Sequence, residues 1–329
     1  MHTPVRWGIL GAANIAVKKV LPAMLQAQTV AVDAIASRRL ERAEAAATRL
    51  GIPTAFGSYE ELLADPTIEA VYIPLPNHLH PEWTLAAAEA GKHVLCEKPL
   101  AMTSTAAQEM VDFCSSARVK LMEAFMYRLH PMWAEVRRLV DSGLIGEVRS
   151  ISAVFSYYNV DATDIRNKVE FGGGALYDIG CYCVNAARMI FGAEPARVKS
   201  SIRRDDRFGT DVITSAILDF GGRHAIFTCS TQLESNQNVA IEGTEGRLVV
   251  EIPFNIPPDV PTRILHVAGG EPPVAPRVEI HEIGASNQYG IQAELFSKAI
   301  REDTPVPTPP EDAVANLRVI ERIFADAAG

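Results

Sequence analysis

The chain has 329 residues and a formal net charge of −9, and 48% of its residues are hydrophobic against 22% that are charged. This composition excludes an intrinsically disordered protein, and the acidic balance disfavours nucleic acid as the main partner because phosphate binding needs a basic surface. No apolar run approaches the roughly 18 residues of a membrane span, and the first residues show no leader-like pattern, so we expect a cytoplasmic protein without a membrane partner. The five cysteines have no regular spacing, which argues against a disulfide framework.

The first third of the chain alternates short apolar runs with helical patterns. Residues 5–10 are predicted as a strand, followed by a tight turn at 11–14 and a helix whose apolar residues recur at helical spacing. Further strands are predicted at 30–36, 70–74, 93–96 and 119–123, and helices at about 40–50, at 81–90 and after caps at Ser58–Glu61 and Thr105–Gln108. This alternation predicts an α/β domain over residues 1–124, with a doubly wound parallel sheet and helices on both faces.

From about residue 145 the pattern changes to longer strands joined by glycine-containing turns. We predict strands at 147–158, 196–204, 210–220, 223–232, 239–242 and 247–252, and helices at about 179–191, 291–300 and 311–327. The proline-rich residues 253–277 are predicted to be a long irregular excursion. Residues 125–329 are therefore predicted to form a second α/β domain on a large, mostly antiparallel open sheet.

The turn after the first strand matches the context of a dinucleotide fingerprint. Its backbone N–H groups and the helix N-terminus would face a pyrophosphate. Ala13 and Ala16 stand where the fingerprint has its second and third glycines, and the alternative is an ordinary strand–helix turn with small residues. The candidate cofactor-binding residues of this turn are Gly11, Ala12, Ala13, Asn14 and Ile15.

The end of the second predicted strand bears on the choice between NAD and NADP. An NAD site normally places a carboxylate there to accept from the ribose 2′-hydroxyl, but Asp33 lies too early in the strand. Ser37, Arg38 and Arg39 stand at the strand end instead, and a hydroxyl followed by two guanidinium groups suits a 2′-phosphate. The sequence therefore favours NADP over NAD; the alternative is a solvated basic start of a helix.

Lys98 follows the fifth predicted strand, at the sheet edge where ligands of such sheets bind. Pro99 makes the next turn rigid and is compatible with a cis peptide bond. The alternative is a surface lysine that pairs with Glu97.

Three glycines at 172–174 precede Asp178 and Tyr182, and glycine lets the backbone approach a neighbour closely. Asp178 and Tyr182 are four residues apart and would share one helix face. A tyrosine hydroxyl has a reference pKa of about 10 and needs a cationic neighbour to act as a base near neutrality, a charge that Lys98 would provide. Without such a partner, Tyr182 would be an ordinary packed aromatic residue.

These segments together resemble the glucose–fructose oxidoreductase, inositol dehydrogenase and rhizopine-catabolism (Gfo/Idh/MocA) family. The resemblance begins at the turn of residues 11–14, which is named the phosphate turn below. It continues through Glu97–Pro99 and Gly172–Tyr182 to Asn287–Tyr289, and so covers nearly the whole chain. Tyr182 replaces the histidine of the inositol dehydrogenase branch. Together with residues 122–131, it makes the chain most similar to NADP-dependent D-xylose dehydrogenases and dimeric dihydrodiol dehydrogenases. Ala13 departs from the family pattern.

The resemblance implies a Rossmann domain followed by an open-sheet α/β domain whose free face mediates assembly into a homodimer or homotetramer. It implies further cofactor-binding residues, which are Leu75, Pro76, Asn77, His80, Glu97, Lys98, Arg128 and Tyr289. Arg166 and Asn167 precede the three glycines and are candidates for binding sugar hydroxyls, with a solvated loop as the alternative. A charged hinge helix is the alternative for Arg128.

We therefore expect an NADP-dependent dehydrogenase that moves hydride between the nicotinamide and the carbinol carbon of a sugar or polyol, with D-xylose-like aldoses as substrates. Tyr182 would be the general acid–base, Lys98 its cationic partner, and Asp178 a group that orients the substrate or Lys98. The alternatives are a trans-dihydrodiol dehydrogenase, an NAD-dependent glycosidase and a non-catalytic nucleotide-sensing co-regulator. We expect no metal, because neither the His78/His80 pair nor the Cys181/Cys183 pair has further ligands at a convincing spacing.

Overall fold

The computed structural model describes residues 3–269 and 275–329. By the proximity of Cα atoms the chain divides into two units, one of residues 1–126 and 287–314 and the other of residues 127–286 and 315–329. The predicted boundary at residue 124 lies two residues before the end of the first stretch. Residues 287–314, which the prediction placed in the second domain, pack with the first unit instead. The functional assignment of each domain remains a prediction.

The first unit contains a six-stranded sheet with the order β3-β2-β1-β4-β5-β6, and every neighbouring pair is parallel. Its strands are β1 (Val5–Leu10), β2 (Val30–Ala36), β3 (Thr54–Phe56), β4 (Ala70–Ile73), β5 (His93–Cys96) and β6 (Leu121–Glu123). Its helices are α1 (Leu21–Met24), α2 (Leu40–Leu50), α3 (Tyr59–Ala64), α4 (His80–Glu89), α5 (Ser104–Ser116) and, near the end of the chain, α8 (Gln288–Arg301). This is the doubly wound Rossmann order, and it confirms the predicted parallel sheet.

Helix α8 belongs to the first unit because its side chains pack on β1. The Trp7 ring lies 5.6 Å from the Phe296 ring, between centroids, and Trp7 Nε1 donates a 3.1 Å hydrogen bond to Ser297 Oγ. All three side chains are fully buried. A contact between residues 290 positions apart has no signature in local periodicity, which explains why the sequence placed this helix elsewhere.

Of the two helix caps predicted in the first unit, one is confirmed and one is wrong. Ser58 Oγ accepts from Glu61 N at 3.2 Å, which confirms the predicted start of α3. Helix α5 begins earlier than predicted, because Thr103, not Thr105, is the cap: its Oγ1 accepts from Ala106 N at 3.1 Å.

The second unit contains an eight-stranded sheet with the order β14-β13-β12-β11-β7-β10-β9-β8. Its strands are β7 (Val148–Tyr158), β8 (Arg197–Arg204), β9 (Asp211–Asp219), β10 (His224–Ser230), β11 (Gln232–Gly243), β12 (Arg247–Val250), β13 (Thr262–Ala268) and β14 (Arg277–Ile283). Its helices are α6 (Pro131–Asp141), α7 (Cys181–Phe191) and the part of α9 (Glu311–Ala327) from residue 315 onward. Only the β7–β10 pair is parallel, so the predicted mostly antiparallel sheet is confirmed.

The prediction of an irregular excursion over 253–277 is wrong for β13. The prolines lie before this strand in the sequence, at 253, 257, 258 and 261, or after it, at 272, 273 and 276, so the backbone N–H groups of β13 can pair with β12 and β14. Within it Thr262, Ile264 and His266 are buried, which is the alternation of a strand with one covered face. Residues 270–274 of the same excursion lie outside the described residues.

Among the described residues no helix is both long enough and apolar enough to cross a membrane. All five cysteines lie within the described ranges, and all are buried and outside any disulfide.

Candidate functional site

The turn after β1 in the first unit has the geometry that a bound diphosphate needs. Gly11 has a φ of +127°, and a Cβ on it would lie 2.9 Å from Leu75 Cδ2, so only glycine fits without displacing Leu75. Leu75 follows β4, so the ends of β1 and β4 meet here, where the strand order reverses. The helix that starts at Asn14 presents its first N–H groups without intrahelical acceptors, which is a typical site for an anion.

The residues of this turn that replace the expected glycines are both small. Ala16 is fully buried and begins a five-residue π-helical segment, Ala16–Val20. Ala13 accepts from Val17 N at 3.0 Å and so joins the first turn of the helix. The chain therefore keeps a compact phosphate turn even though Gly11 is its only glycine.

The end of β2 combines a buried hydroxyl with an exposed guanidinium. Ser37 is 8% exposed, and Arg38 beside it is exposed. Burial raises the pKa of Tyr59, and the positive charge of the nearby Arg38 guanidinium opposes this. Asp33 lies in mid-strand and pairs with Arg6 instead. This strand end therefore offers cationic and hydroxyl groups to a ligand.

Tyr59 was not among the residues predicted for this site. The sequence marks it only as the first residue of a capped helix, and its ring packs edge-on against Trp83 with centroids 4.7 Å apart. Its hydroxyl lies 3.8 Å from the position that a Cβ on Gly11 would take. It thus lies beside both the phosphate turn and Arg38.

Glu97, Lys98 and Pro99 follow β5, and the Lys98–Pro99 peptide bond is cis. Glu97 Oε1 accepts a 2.6 Å hydrogen bond from the Tyr72 hydroxyl. Burial raises the pKa of Tyr72 and of Tyr289, and the Glu97 carboxylate raises both further. The structure thus brings two of the predicted cofactor-binding residues, Glu97 and Tyr289, into one cluster beside Lys98.

His80 is fully buried, and its ring ties two predicted segments together. Its ring nitrogens lie 2.8 Å from the carbonyl oxygens of Pro99 and Leu75. Burial lowers the pKa of His80 to about 4, the two carbonyls oppose this, and the charge of Lys98 adds to the lowering. At neutral pH the ring is therefore uncharged and donates to one of the two carbonyls. Pro76 and Asn77 lie between these segments, in the short turn that leads into α4.

In the second unit Tyr182 lies in the first turn of α7 and is 4% exposed. Its ring contacts those of Tyr127, Phe155 and Phe254, with centroids 5.3 to 5.6 Å apart. Three aromatic rings therefore fix the orientation of the Tyr182 side chain.

Asn185 lies one turn after Tyr182 and is fully buried. It was not among the predicted site residues. Its Oδ1 accepts from the Tyr127 hydroxyl at 2.6 Å and from Arg128 Nη1 at 3.4 Å. In the sequence, the indication that Asn185 has a specific partner is that it is the single polar residue of the apolar run 184–187. Asn185 links Arg128, a predicted site residue, to the helix that bears Tyr182.

Asp178 lies four residues before Tyr182, in a π-helical segment, Leu176–Gly180, that leads into α7. Its Oδ2 accepts from the Tyr157 hydroxyl at 2.6 Å and from Arg166 Nε at 3.2 Å. Burial and then the Asp178 charge raise the pKa of Tyr157, and the same carboxylate raises the pKa of Arg166. The structure thus joins Asp178 and Arg166, two of the predicted substrate-binding residues. π-Helical segments are frequent at functional sites, and the segment Ala16–Val20 after the phosphate turn is also π-helical.

The glycines at 173 and 174 allow the chain to pack closely on itself. A Cβ on Gly173 would lie 2.5 Å from the Arg166 carbonyl oxygen, and one on Gly174 would collide with Asp211. Asp211 is buried and accepts from Leu176 N at 2.7 Å, which anchors the start of the π-helical segment. Asn167 is also buried, and its Nδ2 donates to the Asp161 carbonyl at 2.9 Å. Its predicted role in binding substrate remains a prediction.

Comparison with known protein families matches both parts of the chain. The family model described as "Oxidoreductase family, NAD-binding Rossmann fold" matches residues 5–125. The model described as "GFO/IDH/MocA C-terminal domain" matches residues 133–249. The two models together span most of the chain.

Individual relatives are similar over nearly their full length. The chain is 40% identical to D-xylose 1-dehydrogenase (NADP(+)) 2 of Haloferax volcanii, covering 98% of this chain and 97% of that protein. It is 33% identical to trans-1,2-dihydrobenzene-1,2-diol dehydrogenase of Mus musculus, covering 95% and 94%. A crystal structure of a 3-ketoreductase from Actinomadura kijaniata, in complex with NADP and TDP-benzene, superposes with a TM-score of 0.92 at 31% identity and 98% coverage of both chains.

The family models match residues 5–125 and 133–249, and the relatives named above are dehydrogenases and a reductase. The chain therefore belongs to the Gfo/Idh/MocA family and is an NAD(P)-dependent oxidoreductase of the sugar-acting type.

Proposed function

We propose that the protein is an NADP-dependent aldose dehydrogenase that oxidises a D-xylose-like pyranose at its anomeric carbon to the lactone. The main support is Tyr182, a hydroxyl-bearing side chain held by three rings and preceded by the Asp178–Arg166 pair, which supplies polar groups for a sugar. The 40% identity to a D-xylose 1-dehydrogenase over nearly the whole chain points to the same substrate class.

The preference for NADP rests on the end of β2. Ser37 and the exposed Arg38 would bind the 2′-phosphate, since charge-assisted hydrogen bonds to a phosphate are strong. The Arg38 guanidinium lies near the Tyr59 hydroxyl, which is itself beside the turn at Gly11. The phosphate turn at Gly11 would bind the pyrophosphate, and Glu97, Lys98 and Tyr289 would lie beside the nicotinamide.

A bound nicotinamide would supply the hydride acceptor, so that the C1–H bond breaks and its electron pair leaves with the hydrogen. The proton of the C1 hydroxyl passes to the Tyr182 oxygen, which acts as the general base. Lys98 stabilises the phenolate form of Tyr182 and binds the substrate oxygen through its ammonium group. The Asp178 carboxylate would accept from sugar hydroxyls, and Arg166 and Asn167 would donate to sugar oxygens, so that together they orient the ring. Arg128 would donate to the cofactor.

A trans-dihydrodiol dehydrogenase is the second candidate, and one observation favours it. The rings of Tyr127, Phe155 and Phe254 surround Tyr182 with apolar surface that would suit an unsaturated carbocycle. The 33% identity to the Mus musculus enzyme agrees with this alternative.

The test is the formation of NADPH from NADP+ with a panel of aldopyranoses and a trans-dihydrodiol, with the product identified by mass spectrometry. We expect turnover with D-xylose or a related aldose and the lactone or its hydrolysis product. Turnover with the dihydrodiol alone would favour the second candidate. A cofactor that is reduced and reoxidised without release would favour glycosidase-type chemistry, and absence of turnover with every substrate would favour a nucleotide sensor.

A further inference from the structure

Two histidines and a glutamate meet on β14, an edge strand of the eight-stranded sheet, and on its neighbour β13. Strand β13 pairs antiparallel with β14, so that His266 lies opposite Glu279 and Ile264 lies opposite His281. Residues two apart on a strand share a face, and directly opposed residues also share it. His266, Glu279 and His281 therefore project from the same face of this hairpin.

That face is the covered one. Ile264 and His266 are buried, whereas Val278 and Ile280 on the opposite face of β14 are more than half exposed. Helix α6 packs on the covered face, where Thr262 Oγ1 donates to Met132 Sδ at 3.3 Å. His266 is therefore enclosed between a helix and a sheet, and His281 lies at the rim of this enclosure with 20% of its side chain exposed.

The donor atoms of the three side chains lie within 4.8 Å of one another. Nε2 of His266 and Nε2 of His281 are both buried, and neither has a hydrogen-bond partner among residues 3–269 and 275–329. A buried polar nitrogen without a hydrogen-bond partner is unfavourable, so a ligand on these two nitrogens would stabilise the site. Gly246 leaves room beside one of them, because a Cβ there would lie 3.2 Å from His266 Nε2.

We propose that His266, Glu279 and His281 bind a divalent transition-metal ion, with zinc as the best match. Two imidazoles and one carboxylate are a typical zinc ligand set, and three protein ligands leave a fourth position for water. Mg²⁺ and Ca²⁺ prefer shells of oxygen ligands, which this cluster lacks. The bound ion would clamp the β13–β14 hairpin at the edge of the sheet.

A second carboxylate supports this assignment. Glu135 of α6 has Oε1 at 4.0 Å from His281 Nδ1, and it is itself held by Arg138 at 2.6 Å. Carboxylates that face the second nitrogen of a metal-binding histidine fix the ring and raise its basicity. The site would thus join the hairpin to α6 within the second unit.

This proposal does not depend on the enzyme's substrate or cofactor. The sequence alone did not suggest it, because His266 lies 13 and 15 residues from Glu279 and His281, and strand pairing brings them together. Its test is therefore a binding measurement that needs no turnover.

The full-length protein is stripped with a chelator and titrated with Zn²⁺ by calorimetry, and Co²⁺ is used as a spectroscopic probe of the coordination geometry. We expect one site per chain, a tetrahedral Co²⁺ spectrum and a rise in Tm on addition of zinc. His281→Ala and Glu279→Gln should each weaken zinc binding at least about tenfold. Glu279 is half exposed, so its substitution should leave the fold intact.

The matched control is His224→Ala on β10, a histidine whose side chain is 52% exposed and which should not change zinc binding. The circular dichroism spectrum of each variant shows whether it is folded. Zinc binding of undiminished strength in folded Glu279→Gln and His281→Ala would overturn the proposal. Absence of binding by the unmodified protein at about 100 µM Zn²⁺ would overturn it as well.

Discussion

The Tyr157 hydroxyl donates a 2.6 Å hydrogen bond to Asp178 Oδ2, the oxygen that also accepts from Arg166 Nε. Strand β7 and the loop before the three glycines thereby converge on one carboxylate. The carboxylate precedes Tyr182 by four residues, so its position bears directly on the proposed substrate site.

Asp178→Asn should reduce kcat/KM for the aldose roughly 10- to 100-fold, because a hydrogen bond to a charged group contributes about 1.5–3 kcal/mol. The measurement is steady-state kinetics with NADP+ held at saturation. Asp164→Asn is the matched control, since Asp164 also pairs with Arg166, at 3.4 Å, but is not part of the proposed site. Equal losses in the two variants would show that only the conformation of the Arg166 loop matters.

Changing Ser37→Asp together with Arg38→Ala should move the cofactor preference from NADP toward NAD. The double variant loses a guanidinium for the 2′-phosphate and gains an acceptor for the ribose hydroxyl, so the Kd for NADP+ should rise about 10- to 100-fold. Fluorescence titration with both nucleotides measures this. Arg49→Ala, at an exposed arginine in the last turn of α2, is the control and should change little. Equal or tighter binding of NAD by the unmodified protein would contradict the prediction.

Tyr182→Phe should lower kcat roughly 10²- to 10⁴-fold, as expected for loss of a general acid–base, and should change cofactor affinity far less. If Lys98 and Tyr182 act together, Lys98→Ala combined with Tyr182→Phe should be little worse than either single variant. Lys98→Arg should restore activity only in part, because a planar guanidinium does not replace an ammonium group. Near-normal turnover in Tyr182→Phe would mean that another group moves the proton.

Acid should destabilise the first unit through His80. Its pKa of about 4 in the folded state lies below the reference value of 6.5, so the unfolded state binds the proton first as the pH falls. The stability due to the neutral ring is complete above about pH 6.5 and is lost toward pH 4, with a total on the order of 3 kcal/mol. Denaturant unfolding at pH 7 and pH 5 should show a smaller pH dependence in His80→Gln than in the exposed control His224→Gln. Identical pH dependence in the two variants would refute this role.

The outer face of the eight-stranded sheet should mediate self-association. Ile217 and Ile226 are directly opposed on β9 and β10, and they are 45% and 47% exposed. Exposed apolar residues on neighbouring strands favour burial against a partner. Light scattering at micromolar concentration should give a dimer or larger species, and Ile226→Glu should shift it toward monomer. Leu295→Glu, at an exposed leucine of α8, should not. A monomeric mass for the unmodified protein would contradict this expectation.

The sequence by itself determined the strand–helix alternation of the first unit, the antiparallel character of the second and the candidate residues Gly11, Ser37, Lys98 and Tyr182. These signals are local, because the period of apolar residues, a glycine after a strand or a tripeptide at a sheet edge can be recognised within a few positions. Only the tertiary structure decided where α8 packs, that β13 is a strand and which groups lie beside the predicted residues. Tyr157 on Asp178 and Asn185 on Tyr127 are contacts between residues 21 and 58 positions apart, fixed by strand register and helix packing that local sequence does not encode.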